Sequence, residues 1–381
     1  MSTTKFSLLP PASNTTYLCS KTPHIVCSDK RYEGAPHFLY LPHGKADLVY
    51  VDYLPSVENV AAWPIWSSHC RTASSSTATE SQPPCFRIKE IPGKGLGLVA
   101  RRRISAGELI ISERPIYAAR KSLCCAADQT YENGIFYRAA LGNLSEHART
   151  SLLGLENSYP SQYDLVPGIL NTNCLEIRIT PEPDPTTSFV GCFPTLSRVN
   201  HDCTPSAYYY FDNSTFHGQL RAIRDTMEGE EITITYAEPY AVRKDRQEFL
   251  QRTRFFICEC RACMLTPELQ CLSDRRRENV RNLINRIENE QFPPKISLEE
   301  LSDVLRKAGE EGLIVDYARI LMLGSQVLTL YNDLAIAMEW TQRARRMFVK
   351  IQGENSYTVK KIDDAIRVQS LLAVAPTPLK I

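Results

Sequence analysis

The sequence predicts an α+β protein, in which a β-rich stretch from about residue 85 to 240 carries a helical insert and leads into an almost purely helical C-terminal part. Three observations predict it. Phe86 to Ile91, Leu109 to Ile111 and Ile232 to Tyr236 are rich in β-branched and aromatic residues, and Ile232, Ile234 and Tyr236 alternate with Thr233 and Thr235 in the period of a half-buried strand. From Ser273 onward the period changes to that of helices: Val280, Leu283, Ile284 and Ile287, then Leu301, Val304, Leu305 and Ala308, then Leu334, Ala337 and Met338. Between the two regimes lies a short segment with three cysteines, Cys258, Cys260 and Cys263.

In chain order, residues 1–70 mix proline and aromatics around one convincing strand, Leu48 to Leu54, and form an extension without an assigned role. Residues 71–84, RTASSSTATESQPP, have almost no apolar content to bury and are expected to be a linker. From Cys85 the pattern is strand, glycine turn, strand, turn, strand, with Gly95 and Gly97 either bounding a turn or letting the backbone approach a neighbour closely. The run Arg101 to Arg103 is a solvated strand end. A helical insert is expected over about 118–170, where Ala139, Ala140, Leu141, Leu144, Leu152, Leu153 and Leu155 are broken by Gly142, Gly154 and Pro160. Strands should return at Ile169 to Ile179 and continue from Phe193 to Tyr236. A helix over QEFLQRTRFF then feeds the cysteine segment, 241–270, and residues 271–381 form paired helices in a TPR-like array with no strict repeat, suited to packing or to binding a partner protein.

Composition excludes several functions. Lys plus Arg number 44 and Asp plus Glu 43, so a net charge of +1 gives no footprint for direct nucleic-acid binding. No run of eighteen apolar residues and no signal-peptide core occurs, which points away from membranes and towards a soluble protein of the nucleus, the cytoplasm or both. Neither a GxSxG elbow nor an HExxH helix is present, so a hydrolase is disfavoured. The thirteen cysteines are an odd number, better explained as thiols and metal ligands than as disulfides.

Two local patterns carry chemistry. Asn200, His201, Asp202 and Cys203 crowd polar and metal-competent side chains ahead of Thr204-Pro205, where proline stops regular structure. Cys258, Cys260 and Cys263 have the spacing of tetrahedral zinc ligands but are one short, and Cys203, in the other unusual loop, is the natural fourth. His201 is an alternative ligand, although a histidine flanked by polar residues more often makes hydrogen bonds.

Taken together these segments resemble the SET domain of protein-lysine methyltransferases. Gly95-Leu96-Gly97 looks like its first motif, Arg198 to Pro205 its RxxNHxCxP motif, Gly229-Glu230-Glu231-Ile232 to Tyr236 its GEEIxxxY motif and Cys258 to Cys263 its post-SET zinc segment. The likeness covers about residues 85–265, and the helical C-terminus is similar to that of SET-and-MYND proteins and their fungal relatives, without a MYND module. It implies S-adenosylmethionine as cofactor and a protein substrate presenting a lysine, histone or non-histone. By the same resemblance Lys94, Gly95, Leu96 and Gly97 would meet the methionine part of the cofactor, Asn200 and His201 its adenosine, and Phe256 its adenine. Asn173 would be a further contact and Tyr236 the catalytic tyrosine at the methyl-transfer channel.

The family pattern NHSCxPN is changed here to Asp202 and Ser206, and Arg254 stands where an aromatic commonly lines the lysine channel, unless Phe255 supplies the ring and Arg254 turns outward. These departures keep a second reading alive, an interaction protein with weak or absent catalysis that recruits partners through its C-terminal helices.

Overall fold

In the computed structural model the described residues are 17–18, 25–27, 36–40, 49–53, 83–121, 141–142, 144–159, 165–177, 189–289 and 295–374. The Ser/Thr/Pro-rich stretch up to residue 82, the Cys124-Cys125 pair, Ala139, Ala140 and Ile179 lie outside them.

Among the described residues fourteen strands form three sheets. The first joins β1 (Tyr17–Leu18), β2 (Ile25–Cys27), β3 (Pro36–Tyr40) and β4 (Val49–Tyr53) to β8 (Tyr117–Arg120), β10 (Phe189–Cys192) and β9 (Leu175–Ile177). The expected strand around Val49 to Tyr53 therefore exists, and it pairs in parallel with β8. The second sheet has the order β11 (Asn200–His201), β14 (Glu231–Ile234), β6 (Gly95–Ala100), β5 (Phe86–Ile91). The third places β13 (His217–Ala222) between β12 (Ala207–Asp212) and β7 (Leu109–Glu113). Their inner faces share one apolar core built on Leu98, Ala100, Ile104, Phe193, Leu220, Ala222 and Ile232.

Two helices of the insert are described, α1 (Glu146–Leu153) and α2 (Leu165–Asn173), and they pack with β8 and β10 through Leu144, Ala148, Leu152, Ile169 and Leu170. The expectation of strand from Ile169 is corrected here. Residues 165–173 are helical and only Leu175–Ile177 is extended. The segment LVPGILNTN tolerates proline in its first turn and buries Gly168, Ile169, Leu170 and Asn173, and a short apolar run of this kind does not separate helix from strand by period alone.

α3 (Arg243–Arg254) leads into the cysteine segment, and α4 (Pro267–Asn289), α5 (Leu298–Glu310), α6 (Ile314–Leu330), α7 (Leu334–Gln352) and α8 (Tyr357–Val374) follow. Each of α4 to α7 packs on its successor, as paired helices should. Ser297 caps α5 by accepting from Glu300 N–H, and Gly324 brings α6 against the Trp340 ring of α7, where an added Cβ would lie 2.7 Å from it. Val280, Leu301, Ile320, Leu321, Val327 and Ala337 fill this second core, which also takes in Ile223 and Tyr240 from the β-rich half. Among the described residues no helix is long and apolar enough to cross a membrane.

Candidate active site and cysteine cluster

β11 and β14 lie in parallel, Asn200 beside Thr233 and His201 beside Ile234. Because side chains alternate along a strand, Asn200 and His201 serve opposite sides. Asn200 Nδ2 donates to Glu231 Oε1 at 2.9 Å and approaches the Leu96 carbonyl at 3.4 Å, while Lys94 Nζ pairs with Glu231 Oε2 at 2.7 Å. Glu231 thus gathers Lys94, the glycine turn and Asn200. The two glycines of that turn have different tasks. Gly95 has φ +70°, a conformation that side chains resist, whereas a Cβ on Gly97 would come within 2.6 Å of Asn200 Nδ2 and 2.7 Å of Ile91.

His201, on the other side, is buried, and its Nδ1 accepts the Tyr236 N–H at 2.9 Å. That bond places the ring proton on Nε2, 3.4 Å from Cys203 Sγ. Burial pulls its pKa down to about 4, so the ring is neutral at pH 7. Tyr236 lies two residues beyond the end of β14 rather than within the strand, in a bend. Its hydroxyl donates to the Val199 carbonyl at 2.6 Å, and burial pushes the phenol up to about 12. The His201 ring stands between Tyr236, 5.4 Å away, and Phe256, 6.0 Å away.

The residues that depart from the family pattern have defined places. Asp202 Oδ1 accepts from Thr204 N–H at 2.8 Å and Thr204 Oγ1 at 3.1 Å, closing the turn on itself. Ser206 is fully buried and its Oγ accepts from Thr233 N–H at 3.0 Å, extending the β11–β14 attachment. Arg254 does not turn outward. Its guanidinium carbon lies 5.5 Å from the centre of the Tyr236 ring, and Nη1 donates to the carbonyls of Asn171 and Thr172. Phe255, which ends α3 with φ +60°, is the residue that turns away, 45% exposed and edge-on to Tyr159. Asn173 sits at the end of α2, next to these carbonyls. Its Nδ2 donates to Glu156 O at 2.6 Å and Ile169 O at 2.8 Å, so its amide protons are spent inside the insert.

Behind His201 the four predicted cysteines converge. One sulfur from each of Cys203, Cys258, Cys260 and Cys263 lies within 4.8 Å of the others, and Cys203 and Cys263 are 3.6 Å apart. A tetrahedron with metal–sulfur bonds of about 2.3 Å has edges of about 3.8 Å, so the donor set fits a four-sulfur metal site. His201 is not part of the group. Contact with Cys203 draws the Cys260 thiol down to about 5 and Cys263 further, while Cys203 is pushed up by its contact with Cys258.

Arg246, just ahead of the expected helix and outside every motif, is completely buried here. Its Nε donates to Cys203 Sγ at 3.2 Å and its side chain also reaches Cys263 Sγ and the Ala241 carbonyl, supplying positive charge beside the thiols. Gln247 fixes the same segment by exchanging two hydrogen bonds with the Cys258 backbone. The available signal was the spacing of Arg246 and Leu250, both buried four residues apart on one face of α3.

The comparisons with known proteins agree with this geometry. Residues 95–237 match the SET domain family. Over 196 residues the chain is 27% identical to "Histone-lysine N-methyltransferase set5" of Schizosaccharomyces pombe, covering 51% of this chain and 56% of that protein. It is 38% identical over 96 residues to "SET domain-containing protein SmydA-8, isoform A" of Drosophila melanogaster, 25% of this chain and 20% of the other. With "Histone-lysine N-methyltransferase SMYD1" of Homo sapiens the figures are 39% over 85 residues, 19% of this chain and 17% of the relative. The chain thus spans about half the length of the first relative and a fifth or less of the other two. Residues 95–237 are thus similar to the SET domain, and two of these three relatives are named histone-lysine N-methyltransferases.

Proposed function

We propose that the protein transfers a methyl group from S-adenosylmethionine to the ε-amine of a lysine in a protein substrate. The observation that carries this reading is the Tyr236 hydroxyl, its proton committed to the Val199 carbonyl at 2.6 Å beside the buried His201. When bound, the cofactor would supply a sulfonium methyl open to in-line attack by a neutral amine, with the thioether S-adenosylhomocysteine as leaving group. The protein contributes position and dryness. With its proton on Val199 O and its pKa near 12, Tyr236 remains a phenol at physiological pH and acts as an acceptor that orients the amine N–H, not as a base. The amine must arrive neutral, having lost its proton to solvent. Lys94, Gly95, Leu96, Gly97 and Asn200 are the candidates for one side of the cofactor, with His201 and Phe256 for the other. A small residue at Gly97 and the proximity of Asn200 support that assignment.

The four cysteines and Arg246 favour zinc, bound as a structural ion that ties the Asn200-His201 turn to the segment after α3. A histone substrate is supported by the names of the relatives, and a non-histone protein is equally compatible with the charge balance. The C-terminal helices are proposed as a surface for a partner protein, and the cell compartment as nucleus, cytoplasm or both. The test is transfer of labelled methyl into whole-cell proteins by wild type and Tyr236→Phe, with zinc content measured on the same samples. Label in a discrete band that the substitution weakens by about 10²-fold or more supports the enzyme. No transfer with S-adenosylhomocysteine still bound would point to a missing substrate or partner, and no transfer without binding would favour the interaction-protein reading.

A further inference from the structure

Arg254 closes α3, and its guanidinium stands over the face of Tyr236. Nη1 caps the carbonyls of Asn171 and Thr172 in the last turn of α2, where helix carbonyls lack partners and the dipole is negative. This fixes the plane of the group and leaves its other edge over. Nε is buried without a hydrogen-bond partner, and among the described residues Nη2 makes no hydrogen bond and no carboxylate pairs with the side chain. Arg277 makes the contrast, for its Nε is satisfied by Glu311 at 3.0 Å. The Nε–Nη2 edge of arginine is the fork that matches a carboxylate with two parallel hydrogen bonds. A second orphan lies on a residue that Arg254 already holds: Asn171 Oδ1 is a buried acceptor with no donor. A donor fork on Arg254 and an acceptor on Asn171, two residues joined through the Asn171 backbone carbonyl, are complementary to the carboxylate and ammonium of an amino-acid head group.

Resting on the methyltransferase reading, we propose that Arg254 binds a carboxylate at the Tyr236 face, with Asn171 taking the neighbouring ammonium when the ligand is an α-amino acid. Two sources supply that chemistry, the methionine head of the cofactor and an acidic side chain of the protein substrate. The orphan acceptor on Asn171 favours the first, which moves the methionine head group from the Lys94–Gly97 turn expected by resemblance to Arg254. On this assignment the position that would line a lysine channel with a ring serves instead to hold an anion.

The experiment compares the full-length, zinc-loaded wild type with Arg254→Met and with Arg254→Lys, which keeps the charge and loses the fork. Zinc content and Tm establish folding of each variant. Calorimetry measures binding of S-adenosylhomocysteine, of the same thioether lacking its carboxylate, and of lysine peptides with and without flanking glutamates. A charged hydrogen bond lost from a buried site predicts a fall of about 10- to 100-fold in S-adenosylhomocysteine affinity for Arg254→Met. The loss should be intermediate for Arg254→Lys, and the decarboxylated thioether should bind all three proteins alike. Unchanged thioether binding with loss confined to the glutamate-flanked peptides assigns the carboxylate to the substrate. Equal binding of every ligand by all three proteins overturns the proposal and leaves the methyltransferase reading standing. A wild type that binds neither thioether and transfers no methyl defeats that reading instead. The peptide titrations then decide Arg254 alone, a loss in Arg254→Met supporting it and equal or absent binding overturning it.

Discussion

The segment that closes the candidate site and the C-terminal helical half are held together by different forces. Around Cys203, Ala237, Leu250, Cys258, Ala262 and Cys263 there are few apolar side chains, and what meets there is four thiols able to hold a metal, a buried arginine and the Gln247 hydrogen bonds. The helical half buries a continuous run of leucine, isoleucine and valine with Trp340 at its centre. A site assembled from crosslinks places a few groups accurately but depends on each of them. A core assembled from area tolerates the loss of any one. The two should therefore come apart under different insults.

The largest effect is expected from the metal ligands. Structural zinc sites contribute on the order of 10 kcal/mol at neutral pH, so Cys258→Ser or a strong chelator should abolish zinc content and cofactor binding. The helical half should still melt as a cooperative unit in calorimetry, and a single unchanged transition would erase the distinction between the regions. Next, Trp340→Ala should destabilise the helical half by about 3–5 kcal/mol, with zinc content and the fluorescence of a bound cofactor analogue retained below its transition.

Asp316 sharpens the comparison, because it is a polar exception in the apolar half. Burial raises its pKa to about 7, with Arg319 opposing and Glu238 adding. A carboxyl raised above its unfolded value near 4 holds its proton in the folded state, so its contribution is complete at low pH and is lost as pH climbs from about 4 to 7. Asp316→Asn should thus match wild type in acid and raise Tm by several degrees at pH 8, read by thermal melts across pH. The smallest effect on stability belongs to Tyr236→Phe, which gives up one hydrogen bond worth about 1 kcal/mol while methyl transfer falls steeply.

Much of this was legible in the chain. Cys258, Cys260 and Cys263 announce themselves by spacing and Cys203 by the unusual loop that holds it, and the burial of Val280, Leu283, Ile284, Leu301, Val304 and Leu305 follows from their period. What could not be seen depends on partners distant in sequence. The strand around Tyr50 was visible, but its parallel pairing with β8 was not. Arg246 lay outside every motif, and Arg254 could be set at the channel position but not given its partners, because sequence shows a charge and not what lies across from it. Ile169 and Leu170 misled because an apolar run bounded by proline and asparagine suits either kind of element.

The pairing of β14 with β6 and β11 bears on how the chain is made. Lys94 and Glu231 meet across 137 residues, and Cys203 and Cys263 across a further 60. Contacts so remote must wait for loop closure and form slowly. During synthesis the glycine turn emerges early and β6 can pair only with β5 until residue 234 has left the ribosome, and the cysteine cluster cannot close before Cys263 follows. The helices after it make mostly local contacts and need no such delay. The candidate site is thus among the last parts of its own domain to mature, exposed to chaperones and to metal supply while the later-made helices are already able to fold.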